Sequence, residues 1–256
     1  MKEENELTYY EKVKDWNFDS FEIESDYLTN WNLYELLNKL ATKDSKILDL
    51  GTGGGEKVLK SFPECKEILA TDYSQEMINT ANENLKKSGR KNITFKVMDN
   101  LKMNVPDDYF DFVVARNTPT DPKQIYKCLK DGGYLFIHGV DKFDCYALKL
   151  IFKRGQGTDS LKPISIVDYE NVLEAGFKNV ELIPLHVREY FKNRESFKAF
   201  LQKVPIINDF GDDKDKFGYP IEDDLLDQYI EENTYNGKIR LLRRYYGIVA
   251  QKQKKI

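Results

Sequence analysis

Asp49-Leu50-Gly51-Thr52-Gly53-Gly54-Gly55-Glu56 is the stretch on which the reading of the fold turns. The apolar run Lys46-Ile47-Leu48-Asp49-Leu50 has the length of a buried strand. A helical pattern opens near Glu56, so the glycines form a strand-to-helix turn. Glycines at 51, 53 and 55 let the backbone turn at positive φ and let a ligand approach where a Cβ would stand. The dinucleotide fingerprint G-x-G-x-x-G needs glycine at 51, 53 and 56. Position 56 is Glu56, whose carboxylate would face a pyrophosphate at the helix N-terminus. A phosphate loop fails too, because Lys57 lacks the required glycine spacing before it and Ser or Thr after it. The turn is therefore expected to take a ligand that presents no phosphate to it.

Outward from this turn, short β-branched or aromatic runs alternate with helical patterns. The runs are 46–50, 68–71, 93–97, 110–115 and 134–137. This is the rhythm of a buried parallel sheet with helices on both faces. Between the second and third runs Ser74 reads as an N-cap, Met77, Ile78, Ala81 and Leu85 share one face, and Gly89 ends the helix. Upstream, 27–40 carries leucines and Trp31 at helical spacing. Downstream, helices are expected at 145–152 and 167–174, with a Gly-containing loop at 155–157 between them, and a strand is expected at 180–185 running on toward Val187. Two helices within 190–238 would flank an acidic, Gly-rich turn at 209–218, and a last strand would lie at 246–250. The expected architecture is α/β: a doubly wound, seven-stranded, mainly parallel sheet in the order 3-2-1-4-5-7-6 with the last strand antiparallel. An N-terminal helical segment and an inserted helical cap complete it.

The 256 residues carry 43 acidic and 39 basic side chains, so no global field directs the chain to nucleic acid or an anionic membrane. Aromatics at 13% and charged residues of mixed sign at 32% argue against disorder. No cationic start precedes an apolar segment and no run is long and apolar enough to span a bilayer, so the expectation is a soluble cytoplasmic protein. Cys65, Cys128 and Cys145 are odd in number and widely spaced, with only His138 and His186 beside them. That excludes a disulfide framework, leaves no metal site, and reads as reduced structural thiols.

At the glycine turn the sequence resembles the class I S-adenosylmethionine-dependent methyltransferases, whose first motif is matched in full by Asp49-x-Gly51-x-Gly53-x-Gly55. The resemblance implies that the glycine loop lies beside the cofactor's adenosyl and methionine parts and that Asp49 fixes its amino-acid end. Asp72, at a strand end 21 residues beyond Gly51, would accept from both ribose hydroxyls, with Tyr73 packing on the adenine. Asp99 would accept from the adenine amino group and the Asn100 N–H would meet a ring nitrogen. Arg116 and Asn117, ending the fourth run, would serve the acceptor side or the methionine end. Leu129-Lys130-Asp131-Gly132-Gly133-Tyr134-Leu135 resembles the family's L-K-P-G-G-x-L turn, with Asp131 in place of proline. The implied cofactor-binding set is thus Asp49, Gly51, Thr52, Gly53, Gly55, Asp72, Tyr73, Met77, Asp99, Asn100, Arg116 and Asn117. The resemblance covers 46–140; beyond it only the topology carries over. One domain is expected, with an N-terminal helical lid at 1–42, a cofactor-binding core at 43–140 and a substrate-side half at 141–256 capped at about 190–238.

The acceptor reads as a small molecule. No N-P-P-Y-type motif or Pro-Cys nucleophile occurs, and no catechol-type metal site stands out. Asn117 and His138 are the weak catalytic candidates, His138 as a general base or as a hydrogen-bonded structural residue. The stripe Lys238, Arg240, Arg243, Arg244 and the tail Lys252, Lys254, Lys255 would suit an anionic acceptor such as RNA, but a solvated basic face is the favoured reading. A protein acceptor, or a cofactor-binding regulatory protein without turnover, is a further alternative. Acceptor selection is expected from 190–238, rich in Phe191, Phe197, Phe200, Phe210, Phe217, Tyr219 and Tyr229, with Tyr9, Tyr10, Trp16 and Trp31. Those aromatics would otherwise simply bury the two added helices. The sequence names neither the acceptor atom nor the oligomeric state.

Overall fold

The computed structural model describes residues 9, 18–158, 160–208, 210 and 220–254. Its first elements are a 3-10 turn at Asp19–Phe21, strand β1 (Glu24–Tyr27) and helix α1 (Leu33–Leu40). The alternating core follows as β2 (Lys46–Leu50), α2 (Glu56–Ser61), β3 (Glu67–Asp72), α3 (Gln75–Ser88), β4 (Ile93–Val97), β5 (Phe110–Arg116), α4 (Pro122–Cys128) and β6 (Leu129–Val140). Then come α5 (Tyr146–Phe152), α6 (Ile164–Glu174), β7 (Lys178–Phe191), α7 (Arg194–Lys203), α8 (Asp223–Asn233), β8 (Thr234–Tyr235) and β9 (Lys238–Gln251).

Among the described residues the sheet has nine strands rather than the expected seven, in the order β1-β7-β9-β6-β5-β2-β3-β4, with β8 paired to β9. The pairings β2 with β3, β2 with β5, β3 with β4 and β5 with β6 are parallel. β1 adds an antiparallel edge on β7, and β8 turns back antiparallel on β9. The Gly132 N–H donates to the Lys252 carbonyl at 2.8 Å and the Asp141 N–H to the Arg244 carbonyl at 3.0 Å, so β6 and the final strand run in opposite directions.

Several expected boundaries move. The amphipathic stretch 27–40 is not one helix, because 24–27 pairs with β7 and Asn32 caps α1 by accepting from the Tyr34 and Glu35 N–H groups. β7 runs on to Phe191, and the final strand opens eight residues early, at Lys238. The Ser74 cap and the left-handed Gly89 stop around α3 stand as the sequence reads. The 209–218 turn lies outside the described residues except for Phe210; so do Tyr10, Trp16, Phe217, Tyr219 and Lys255.

The described residues group into two compact units. One comprises Trp31–Gly139, Ser165–Ile183 and Tyr246–Ile256. Its core places Ile47, Ile68, Phe112, Val114 and Phe136 under α1, α2 and α3, represented by Leu37, Val58 and Ile78. Phe112 and Phe136 stack at 6.1 Å between ring centroids, and each such buried ring contributes about 1.5–3 kcal/mol. The other unit comprises Met1–Asn30, Val140–Ile164 and Pro184–Tyr245. Its core gathers Leu148, Phe152, Phe191, Phe197, Phe200, Leu226 and Tyr229. Beside it the Arg243 guanidinium is buried and paired with Asp144 at 3.1 Å and Glu189 at 3.3 Å. Among the described residues no helix is long and apolar enough to cross a membrane.

Candidate functional site

In the first unit β2 and β3 lie parallel with Leu50 opposite Thr71, so both strands end at the same edge of the sheet. The glycine loop begins there, and the Thr52 N–H donates to the Thr71 carbonyl at 2.8 Å. Gly51 has φ +73°, and a Cβ on it would meet the Thr118 Cβ at 2.6 Å. Gly55 has φ +78°, and its Cβ would meet the Phe95 ring at 2.7 Å. Glycine is thus demanded at 51 and 55 by the positive φ that the sequence leads one to expect and by packing of the protein on itself.

Asp72, at the end of β3, accepts from the Gly53 N–H through Oδ2 and from the Ser74 N–H through Oδ1, each at 2.9 Å. A carboxylate offers about four acceptor positions, so two remain on these oxygens. Tyr73 next to it is exposed, whereas Met77 is buried in α3. Asn100 is buried, its amide donating to the Thr118 hydroxyl at 2.9 Å and its carbonyl accepting from the Thr71 hydroxyl at 3.4 Å. Asp99 forms the turn that its sequence context also allows, Oδ1 accepting from the Leu101 N–H at 2.9 Å.

Asp49 is only 5% exposed, and burial pushes its pKa up to about 7, while Thr52 and Arg116 pull it down and Asp72 adds to the rise. The Thr52 hydroxyl lies close enough to lower the pKa of Asp49. Yet this buried oxygen makes no hydrogen bond of good geometry among the described residues. Tyr34, from α1, stands in the same field: burial raises its phenol to about 12, opposed by Arg116 and augmented by Asp49. The Lys57 pKa is lowered by burial and then by Arg116. A buried carboxylate, an orphan hydroxyl, a phenol and two cations therefore share the edge where β2 and β5 end. The sequence reading missed Tyr34, Lys57, Thr71 and Thr118.

Asn117 and His138 are brought together by the parallel pairing of β5 and β6. The Asn117 N–H donates to the His138 carbonyl at 2.8 Å, and His138 Nδ1 lies 3.3 Å from Asn117 Oδ1. Asn117 takes φ +52°, a strained left-handed conformation that asparagine tolerates better than most residues.

In the second unit Phe191, Phe197, Phe200, Phe210 and Tyr229 are all buried; all but Phe210 share one core with residues of α7 and α8, and Tyr229 also borders a cavity. Tyr9 is buried as well, its hydroxyl donating to the Lys203 carbonyl at 3.0 Å. Trp31 belongs to the first unit, its ring lying against Gly247. The basic stripe is not one face: Arg243 is buried in ion pairs, and Lys238 pairs with Glu24. In the first unit Lys252, of the basic tail, is buried and reaches Asp108 and the Leu129 carbonyl. Cys65, Cys128 and Cys145 are buried free thiols whose pKa values burial raises, that of Cys128 to about 12, which keeps them unreactive. Among the described residues no group of three or more His, Cys, Asp or Glu side chains is placed to hold a metal.

A family model described as a methyltransferase domain matches residues 41–162. The chain is 31% identical over 96 residues to a protein-L-isoaspartate O-methyltransferase of Myxococcus xanthus, covering 37% of this chain and 45% of that one. It is 28% identical over 120 residues to a demethylmenaquinone methyltransferase of Bacteroides fragilis, covering 43% and 49%. The chain thus spans about half the length of the curated relatives it matches. The YcgJ protein of Bacillus subtilis has a similar fold, with a TM-score of 0.59 at 16% identity over 87% of this chain and 98% of that one. Residues 41–162 thus match a methyltransferase domain, and the chain shares its α/β fold with YcgJ.

Proposed function

We propose that the protein is an S-adenosylmethionine-dependent methyltransferase acting on a small molecule, with the cofactor held along the edge formed by β2, β3 and the glycine loop. The observation that carries this reading is the pairing of the orphan Thr52 hydroxyl with the buried, under-compensated Asp49 carboxylate. An unpartnered buried hydroxyl and a carboxylate stripped of water are both costly, and an amino-acid ammonium beside them satisfies both. The residues fit the cofactor in charge as well as in hydrogen-bonding capacity.

S-adenosylmethionine supplies a methyl group activated by a sulfonium centre. Asp49 and Thr52 would hold the ammonium end and Arg116 the carboxylate. The open lone pairs of Asp72 would take the ribose hydroxyls. Gly51, Gly53 and Gly55 shape the loop beside it, Tyr73 would cover the adenine face, Met77 would back it from α3, and Asp99 with the Asn100 N–H would read the adenine edge. Asn117 and His138 would face the acceptor, His138 removing a proton where the acceptor needs it. In an in-line displacement the protein's contribution is to hold the acceptor near the methyl carbon and keep water out. Residues 43–140 would then form the cofactor-binding core. A small-molecule acceptor fits better than RNA, because ion pairing withdraws Arg243 and Lys252 from any phosphate-binding face.

Incubation of the protein with methyl-labelled cofactor and fractionated cell extract tests this reading. Label is expected in the small-molecule fraction. Label in RNA or protein alone would overturn the acceptor class, and no transfer despite cofactor binding would favour a regulatory protein.

A further inference from the structure

The second unit contains a cavity of about 380 Å³, a volume within the range of small-molecule sites. Its chemistry follows from strand alternation. On β9, Arg240, Leu242 and Arg244 share one face, while Leu241 and Arg243 point to the other, where both are buried. On the neighbouring β7, His186 and Arg188 share a face, while Val187 and Glu189 take the opposite one. Arg188, Arg240 and Arg244, with His186, therefore line the cavity together, and Leu242 and Tyr146 supply apolar wall.

No carboxylate stands among the described residues that line it. Arg188 is paired with Asp26 at 3.2 Å. Arg240 has no ion-pair partner among the described residues, its guanidinium carbon lying 5.8 Å from the centroid of the Tyr235 ring. Among the described residues the Arg244 guanidinium has no ion-pair partner and donates to the neutral Phe143 carbonyl, at 3.3 Å. Two guanidinium groups thus enter a partly apolar recess without a counter-charge, which concentrates positive potential there.

We propose that this cavity is a binding site for a small anionic molecule that carries a carboxylate or phosphate on an apolar body, with Arg240 and Arg244 gripping the anion. Guanidinium forks such as those of Arg240 and Arg244 suit such an anion, whose charge-assisted hydrogen bonds are roughly twice as strong as neutral ones. The apolar body lies on Leu242 and Tyr146. The site does not rest on the methyltransferase reading, which concerns other residues and another ligand.

The test is calorimetric titration of phenyl phosphate into the full chain, with inorganic phosphate and benzyl alcohol as probes of the two halves. Phenyl phosphate is expected to bind saturably, inorganic phosphate at least tenfold more weakly, and benzyl alcohol not at all. R240Q/R244Q is expected to weaken phenyl phosphate binding at least tenfold. If that double variant does not fold, R240Q alone serves, because the Arg240 guanidinium makes no hydrogen bond among the described residues; a fall of at least threefold is expected. Absence of saturable binding, or equal affinity in the wild type and the folded variant, would overturn the site. Equal binding of benzyl alcohol would overturn its anionic character, and equal binding of inorganic phosphate its apolar half.

Discussion

The Asp72 carboxylate accepts a hydrogen bond from the Gly53 backbone N–H at 2.9 Å, tying the end of β3 to the middle of the glycine loop. The loop is thus held in place by the same side chain that the proposed function assigns to the ribose. Asp72→Ala should release the Gly53 amide and destabilise the protein by about 1–3 kcal/mol. Asp72→Asn retains one oxygen acceptor and should fall between. Hydrogen exchange at Gly53 together with urea denaturation checks this. Unchanged protection in the alanine variant would show that the loop does not depend on the contact.

Asp49 gives the site a pH dependence of defined sign. Its folded pKa, raised by burial to about 7, lies above the unfolded carboxylate value, so the folded state holds the proton more tightly. The associated stability is complete at about pH 4 and below and is lost as pH rises through 7. Asp49→Asn does not titrate, so its stability relative to the wild type should rise by about 2–4 kcal/mol between pH 4 and pH 8. Denaturation at both pH values measures it, and a difference that does not vary with pH would contradict the burial argument.

Gly51→Ala should cost more than its backbone conformation alone explains. Gly89, at φ +72°, has nothing within 4 Å of the position an alanine methyl would take, whereas Gly51, at φ +73°, would put its Cβ 2.6 Å from the Thr118 Cβ. Gly89→Ala should therefore lose about 1 kcal/mol from strain, and Gly51→Ala a further ~1–3 kcal/mol from overpacking. Thermal denaturation of both variants separates the two contributions. Equal losses would mean that the loop yields freely at Thr118.

The second unit depends on the pairing of Arg243 with Asp144 and Glu189. Asp144 holds the Arg243 guanidinium through both carboxylate oxygens and also accepts from the Arg244 N–H at 2.7 Å. Asp144→Ala leaves a buried cation short of its main partner and should destabilise by about 3–5 kcal/mol. A loss below about 1 kcal/mol by chemical denaturation would show that water reaches the guanidinium.

What the sequence made legible was local. Gly51 to Gly55 announced a turn, Ser74 and Gly89 marked both ends of α3, and the apolar runs located β2 to β5. β1 escaped because its four residues are all exposed, leaving no alternation to read, and its partner on β7 lies far along the chain. The start of β9 escaped for the opposite reason: Arg243 occupies an inward position, and only Asp144 and Glu189 make a charge tolerable there. Tyr34 was hidden among the leucines of α1. Its place beside Asp49 and Arg116 comes from packing of that helix, which no spacing along the chain reveals.

The central claim is that the edge formed by Asp49, the glycine loop and Asp72 takes S-adenosylmethionine. Titration calorimetry with S-adenosylhomocysteine tests it most directly, because the product shares the amino-acid, ribose and adenine groups and cannot turn over. Saturable one-to-one binding is expected for the wild type, weakened by about 2–4 kcal/mol in Asp72→Ala as two charge-assisted bonds are lost, with no measurable binding of NAD. No binding by the folded wild type, or the same affinity in the folded Asp72→Ala variant, would contradict the account.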